Sequence, residues 1–196
     1  MPQMDTESFQ YSFDPGQEPF TDRVLARGWV GAEGKNRRAI TDSVSCEEAR
    51  MLMGLALAGP CRQTLETGVA HGISTLALAQ AAAFNGGHHT GIDPLQFREH
   101  GGVALSLLEE FGFAERFTLL EGHSAMEAPR LLAAGRAFDL IFVDGMHTFD
   151  CKFLDCFYAS RLLKTGGLLV LHDLLLPSTK KVWRFLRGTG NFRPVR

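Results

Sequence analysis

The chain has 196 residues, enough for one domain with a full core, and its 45% hydrophobic and 21% charged residues are ordinary globular values. Twenty basic against twenty-two acidic side chains give a net charge of -2, which excludes bulk attraction to nucleic acid or an anionic membrane and leaves a small molecule as the expected partner. The four cysteines, Cys46, Cys61, Cys151 and Cys156, show no CxxC spacing, so neither a zinc knuckle nor a redox pair is signalled.

The opening MPQMDTESFQ is polar and acidic where a signal peptide needs a basic start and an apolar run. No later apolar stretch approaches a membrane span, so a cytoplasmic protein is expected. Residues 1–40 read as an N-terminal extension rich in polar residues, Gly and Pro, with FQYSF at 9–13 alternating aromatic and polar side chains. A tail packed on the domain or on a second subunit is favoured over a substrate lid.

From residue 41 to 196 the sequence reads as one domain. Ser45 followed by Glu48 makes a capping box that opens a helix through MLMGLALAG, which Gly59 and Pro60 should stop. Strand-like runs then alternate with helical patterns. The expected strands are Gln63 to Val69, His89 to Asp93, Arg116 to Gly122, Phe138 to Asp144 and Gly167 to Asp173. Between and after them come helices over Ser74 to Phe84, Gly102 to Phe111, Ala125 to Ala134, Phe149 to Leu163 and Thr179 to Leu186. NGG at 85–87 and TGG at 165–167 read as helix ends, because glycine accepts the left-handed backbone just past a helix. Five such units make an α/β fold with a doubly wound, mostly parallel sheet of the Rossmann-like kind.

Ligands of such sheets bind outside the carboxyl ends of the strands. The residues to weigh are therefore Glu66 to Gly72, Asp93, Glu121 to Ser124, Asp144 to His147, and His172 with Asp173. In LETGVAHGIST at 65–75, aligning a dinucleotide GxGxxG on Gly68 puts Ala70 and Ile73 where the other two glycines belong. No GK[ST] follows, so a phosphate-binding Walker loop fails as well. The stretch does carry an acid near the strand end, Gly68, Gly72, and Ser74 and Thr75 opening a helix, which suits the amino-acid end of a ligand without phosphate.

That pattern resembles motif I of class I S-adenosylmethionine-dependent methyltransferases. The resemblance implies Glu66, Gly68, Gly72 and Ser74 around the cofactor. Asp93, 21 positions after Gly72, falls where such folds place an acid on ribose hydroxyls, although it would also cap the turn at Pro94. EGHSAMEAPRL at 121–131 is similar to the segment beside adenine, with Ser124 as the contact; Ser124 also reads as the N-cap of its helix. FDLIFVDGMHTFDCKFLDCFYASRLLKTGGLLVLHD at 138–173 resembles the small-molecule O-methyltransferase branch with its DGxHxY-like turn, here with Phe149 in place of the tyrosine. The likeness runs over about residues 40 to 187.

By the same resemblance His147, three positions after Asp144, stands where catechol-type relatives carry a catalytic lysine, and it is the expected general base. Asp144, which also borders the cofactor, and Asp173 end neighbouring strands and can converge on a divalent metal such as magnesium. The catechol-type pattern has an asparagine directly after the second aspartate; this chain has Leu174, and His172 is the substitute ligand, which favours other divalent metals over magnesium. Four of the seven histidines, His71, His123, His147 and His172, fall on strand ends, which keeps open a metal-dependent hydrolase or oxygenase. A non-catalytic S-adenosylmethionine-binding protein also stays open. The resembled fold usually adds two more strands after the fifth, and the 23 residues beyond Asp173 hold only a helix and a stub, so either a truncated version of that fold or a sheet edge covered by a partner is expected, the latter as a homodimer.

Overall fold

In a computed structural model of the chain, the described residues are 13–14, 16–32, 36–41 and 43–194. The segment before the sheet contributes α1 (Phe20–Arg27), a two-residue hairpin of β1 (Trp29–Val30) and β2 (Arg38–Ala39), and α2 (Cys46–Ala58). The Ser45 capping box forms with both its hydrogen bonds: Glu48 N donates to Ser45 Oγ at 3.2 Å, and Ser45 N donates to Glu48 Oε2 at 2.7 Å. Described residues of this segment pack on the domain. Val24 and Val30 are fully buried, Phe13 and Phe20 pack on the core, and the Gln80 side chain bonds Phe20 N and Glu18 O. Residues 9–12 of the FQYSF stretch lie outside the described residues.

The rest alternates strand and helix: β3 (Gln63–Thr67), α3 (Ile73–Phe84), β4 (His88–Ile92), α4 (Val103–Glu110), β5 (Phe117–Leu120), α5 (Ser124–Ala133), β6 (Phe138–Val143), α6 (Phe149–Leu162), β7 (Leu163–Leu171) and α7 (Pro177–Gly188). The five strands β3 to β7 pair all parallel in the order β5-β4-β3-β6-β7. The order reverses between β3 and β6, and that switch point is where ligands enter doubly wound sheets.

Two apolar clusters fill the two faces. One joins Leu140 and Phe142 to α1, α2, α3 and α4; the other joins Leu65, Ile141 and Val143 to α5, α6 and α7. FDLIFV of β6 has Leu140 to Val143 buried because a central parallel strand is covered on both sides. At the far edge every residue of β7 from Leu168 to Leu171 is only half-buried, since β6 pairs one side alone.

Two expectations need correction. TGG at 165–167 does not end a helix, because α6 runs straight into β7 after Leu162 and the glycines lie inside the strand. They absorb a register shift between Phe138 and Leu140, with Gly166 at φ +82°. Ser124 is the first residue of α5 and not its N-cap, which is His123. No helix among the described residues is long and apolar enough to cross a membrane.

Candidate functional site

A cavity of about 360 Å³ opens at the carboxyl ends of β3, β6 and β7. It is lined by Ser43, Val44, the whole turn 68–74, Asp144, His147, His172 and Asp173. The turn is shaped by its glycines. Gly68 sits at φ +87°, and a Cβ there would fall 2.3 Å from Asp144 O; Gly72 sits at φ +83°, and a Cβ there would fall 2.7 Å from Ala104 Cβ. The end of β3 is thus pressed against the end of β6, with Asp144 N donating to Thr67 O at 2.9 Å.

Asp93 braces this turn from below. Its Oδ2 accepts from Val69 N at 2.9 Å and Ala70 N at 2.8 Å, and its Oδ1 accepts from Leu95 N at 2.7 Å. Gln96, fully buried, donates from Nε2 to Ala70 O at 2.9 Å. Asp93 therefore does cap its own turn, as read from Pro94, and at 5% exposure it lies beneath the cavity lining.

Glu66 is placed differently from the sequence expectation. It is 0% exposed and absent from the cavity wall; its carboxylate accepts from the Thr75 hydroxyl and lies 3.1 Å from His89 Nε2, whose Nδ1 meets Thr64 Oγ1 at 2.8 Å. The acid ties β3 to β4 and to the first turn of α3. Strand alternation turns it inward, and at the start of α3 Ile73 and Ser74 line the cavity whereas Thr75 does not. Ser124 also stands off the wall, with its hydroxyl against the Asp155 carboxylate.

At the other side of the cavity the acidic and imidazole groups meet. His147 Nε2 lies 2.9 Å from Asp173 Oδ2 and 3.9 Å from Asp144 Oδ1, with its side chain 54% exposed. Asp173 holds φ +56°, a left-handed backbone that a non-glycine residue rarely keeps without a reason in its surroundings. Ser178, at the start of α7, donates from Oγ to His147 O at 2.7 Å and fixes this turn.

His172 is more enclosed. Its Nδ1 lies 3.0 Å from Asp144 Oδ1 and 3.4 Å from Asp173 Oδ2, and its Nε2 lies 3.1 Å from Glu48 Oε1. Contact with the Asp144 carboxylate, against the opposing effect of burial, pushes its pKa up to about 9, so the ring is an imidazolium at neutral pH.

This rearranges the expected metal set. Asp144, His147 and Asp173 each offer one donor atom, all within 4.8 Å of one another. His172 stands outside that grouping, with its Nδ1 facing the Asp144 and Asp173 carboxylates and its Nε2 facing Glu48. Two carboxylates and one imidazole fit a divalent cation by donor type. Among the described residues the four strand-end histidines do not assemble: His123 is exposed, and His71 stacks edge-on against His100 with centroids 5.4 Å apart.

Glu48, Lys152 and Asp155 escaped the sequence reading. Glu48 had a signal only as a helix cap, whereas Lys152 and Asp155 showed as charges interrupting the apolar face of FDCKFLDCF.

A glycine-shaped turn without phosphate-binding spacing, at the switch point of a doubly wound sheet and opposite an acid–imidazole cluster, fits a methyltransferase of the class I, S-adenosylmethionine-dependent kind that the sequence resembles. Residues 65–174 match the family described as methyltransferase domain, and the chain belongs to it. It is 31% identical over 172 residues to a catechol O-methyltransferase of Mycobacterium tuberculosis, covering 87% of this chain and 72% of that one. It is 34% identical over 142 residues to tricin synthase 1 of Oryza sativa subsp. japonica, covering 69% of this chain and 54% of that one. In fold it is similar to the O-methyltransferase TomG from Streptomyces achromogenes, solved in complex with SAM (TM-score 0.68, 22% identity, 95% of this chain and 82% of that one). A second match is the O-methyltransferase from Bacillus cereus in complex with SAH (TM-score 0.67, 17% identity, 92% and 82%). The chain is accordingly an S-adenosylmethionine-dependent methyltransferase of the small-molecule O-methyltransferase branch.

Proposed function

We propose that the protein transfers the methyl group of S-adenosylmethionine to a hydroxyl of a small aromatic acceptor, with His147 as general base. The observation that carries this reading is the His147 Nε2 to Asp173 Oδ2 contact of 2.9 Å on the wall of the cavity that the 68–74 turn also lines. The catechol O-methyltransferase relative and the exposed Met146, Phe149 and Leu175, which flank the cluster in sequence, support an apolar ring carrying hydroxyls.

The backbone at Gly68 and Gly72 and the Ser74 hydroxyl take the amino-acid end of the cofactor, on a turn that Asp93 and Glu66 hold from inside. Ser124, whose hydroxyl meets Asp155 off the cavity wall, is assigned to the adenine side, and Asp144 is assigned to border the cofactor. His147 Nε2–H donates to Asp173, which leaves Nδ1 as the atom that accepts the acceptor's proton. The acceptor oxygen then attacks the methyl carbon in line. The O–C bond forms, the C–S bond breaks, its electron pair stays on sulfur, and S-adenosylhomocysteine leaves as a neutral thioether.

A second reading is favoured by the 4.8 Å grouping of Asp144, His147 and Asp173. These three would hold a divalent cation, which lowers the pKa of a hydroxyl beside it. His147 would then serve as ligand and not as base, so the two readings exclude each other. The half-covered edge of β7 supports a homodimer.

Calorimetric titration with S-adenosylmethionine and with NAD tests the cofactor, and transfer of labelled methyl to 1,2-dihydroxybenzene with and without EDTA tests the base. Binding of the first cofactor alone and EDTA-insensitive turnover are expected. NAD binding overturns the function; turnover abolished by EDTA and restored by a divalent metal replaces the base by the cation.

A further inference from the structure

Beneath the site, α6 carries two charged side chains that the reaction steps above leave unused. Lys152 is 0% exposed and Asp155 4%, although lysine and aspartate rarely reach such burial without dedicated partners. Their partners are specific. Lys152 Nζ donates to Val143 O at 3.2 Å. Asp155 Oδ2 accepts from Thr67 Oγ1 at 3.1 Å, and the Ser124 hydroxyl lies against the same carboxylate.

Those contacts fall at three junctions. Val143 is the last residue of β6, immediately before Asp144; Thr67 is the last of β3, immediately before Gly68; Ser124 is the first of α5. One helical turn of α6 therefore holds the ends of both strands that carry the cofactor turn and the acceptor cluster. An independent sign of close fit comes from Gly145, where a Cβ would fall 2.9 Å from Asp155 Oδ2 and 3.3 Å from Thr67 Oγ1. Stability alone does not account for the pair, since apolar residues of similar volume at such buried charged positions are often neutral or stabilising.

We propose that Lys152 and Asp155 are positioning residues that set the spacing between the end of β3 and the end of β6, and with it the distance over which the methyl group must travel. This rests on the methyltransferase reading of the site. In-line transfer is sensitive to that distance, a misplacement of about 1 Å being able to lower the rate by about 100-fold.

The test uses the full chain with S-adenosylmethionine and 1,2-dihydroxybenzene, and compares the double variant Lys152→Met/Asp155→Leu, the single variant Asp155→Asn, and Gly145→Ala. The double variant is expected to keep its Tm, its cofactor Kd and its acceptor KM within about threefold while kcat falls about 10- to 100-fold. Asp155→Asn, whose amide oxygen still accepts from Thr67, is expected to hold kcat within about threefold of the unaltered chain. A folded double variant with unchanged kcat, or a loss that appears in KM alone, overturns the proposal, as does an Asp155→Asn variant as slow as the double one. Should the double variant fail to fold, Gly145→Ala decides. It leaves both charged groups in place while pushing the carboxylate back, so a kcat loss of about tenfold at unaltered cofactor affinity supports the proposal and a normal kcat overturns it. Absence of S-adenosylmethionine binding to the unaltered chain would overturn the reading of the site, and the proposal with it.

Discussion

Replacing Asp93 with alanine removes the acceptor of three backbone amides at once, those of Val69, Ala70 and Leu95. The carboxylate is 5% exposed, so water reaches the orphaned amides poorly. Hydrogen bonds to a charged group are worth about 1.5–3 kcal/mol each, and because the three share one anion their sum is not additive; a loss of about 3–5 kcal/mol is expected. At about 2–4 °C per kcal/mol for a domain of this size, the unliganded chain should melt about 6–20 °C lower. Urea unfolding with an unchanged m-value is the assay, paired with calorimetric titration of S-adenosylmethionine. Asp93→Asn separates the bonds, since its amide oxygen can still accept from Val69 and Ala70 while its NH2 opposes the Leu95 amide; it should lose about 1–3 kcal/mol. A stability change below about 0.5 kcal/mol for Asp93→Ala, the range of ordinary surface substitutions, would refute the bracing role.

His147→Ala should lower kcat by about 10²–10⁴-fold with cofactor affinity nearly unaltered, read by steady-state kinetics beside calorimetry; a kcat within threefold would remove the base assignment. Gly68→Ala puts a methyl group 2.3 Å from Asp144 O on a left-handed backbone, so it should destabilise the fold by more than about 2 kcal/mol and weaken S-adenosylmethionine binding, measured by thermal melts and calorimetry. The His172 imidazolium contributes stability that is fully present below its unfolded pKa of about 6.5 and is lost as pH rises through about 9, because the folded value is the higher one. Discounted for its partial exposure, the loss is on the order of 1–2 kcal/mol. The urea midpoint should therefore fall over that window in the unaltered chain and show a flatter profile in His172→Gln; identical slopes would contradict the assignment. Burial pushes the Cys156 thiol up to about 12 and Cys61 up to about 11, so both should resist iodoacetamide at pH 8 in the folded state and react once urea unfolds the chain.

The order of strands and helices was legible in the sequence because it depends on neighbours along the chain. Period-two and period-3.6 apolar patterns, the Ser45–Glu48 box and the Gly68 and Gly72 turn each lie within a dozen residues, and each formed close to where it was read. Asp144, His147 and Asp173 were legible too, as residues that follow strand ends.

What the sequence left open was the direction each side chain takes once strands from distant positions lie side by side. Glu66 precedes the glycine turn in the chain, yet strand alternation turns it toward Thr75 and His89, away from the cavity. His172 and His147 carry equal promise as letters. The Asp144 carboxylate, with Asp173 and Glu48 adding to it, holds one of them as an imidazolium, while the other stays exposed against Asp173. TGG at 165–167 has the composition of a helix end, and pairing with β6 makes it the site of a register shift within β7 instead. Lys152 and Asp155 gain meaning only when α6 packs over the ends of β3 and β6. Local free energies fix where elements begin and end, whereas the choice of partner for a buried charge is made by whichever polar group the packed sheet brings within 3 Å or so, and that is a property of the tertiary structure.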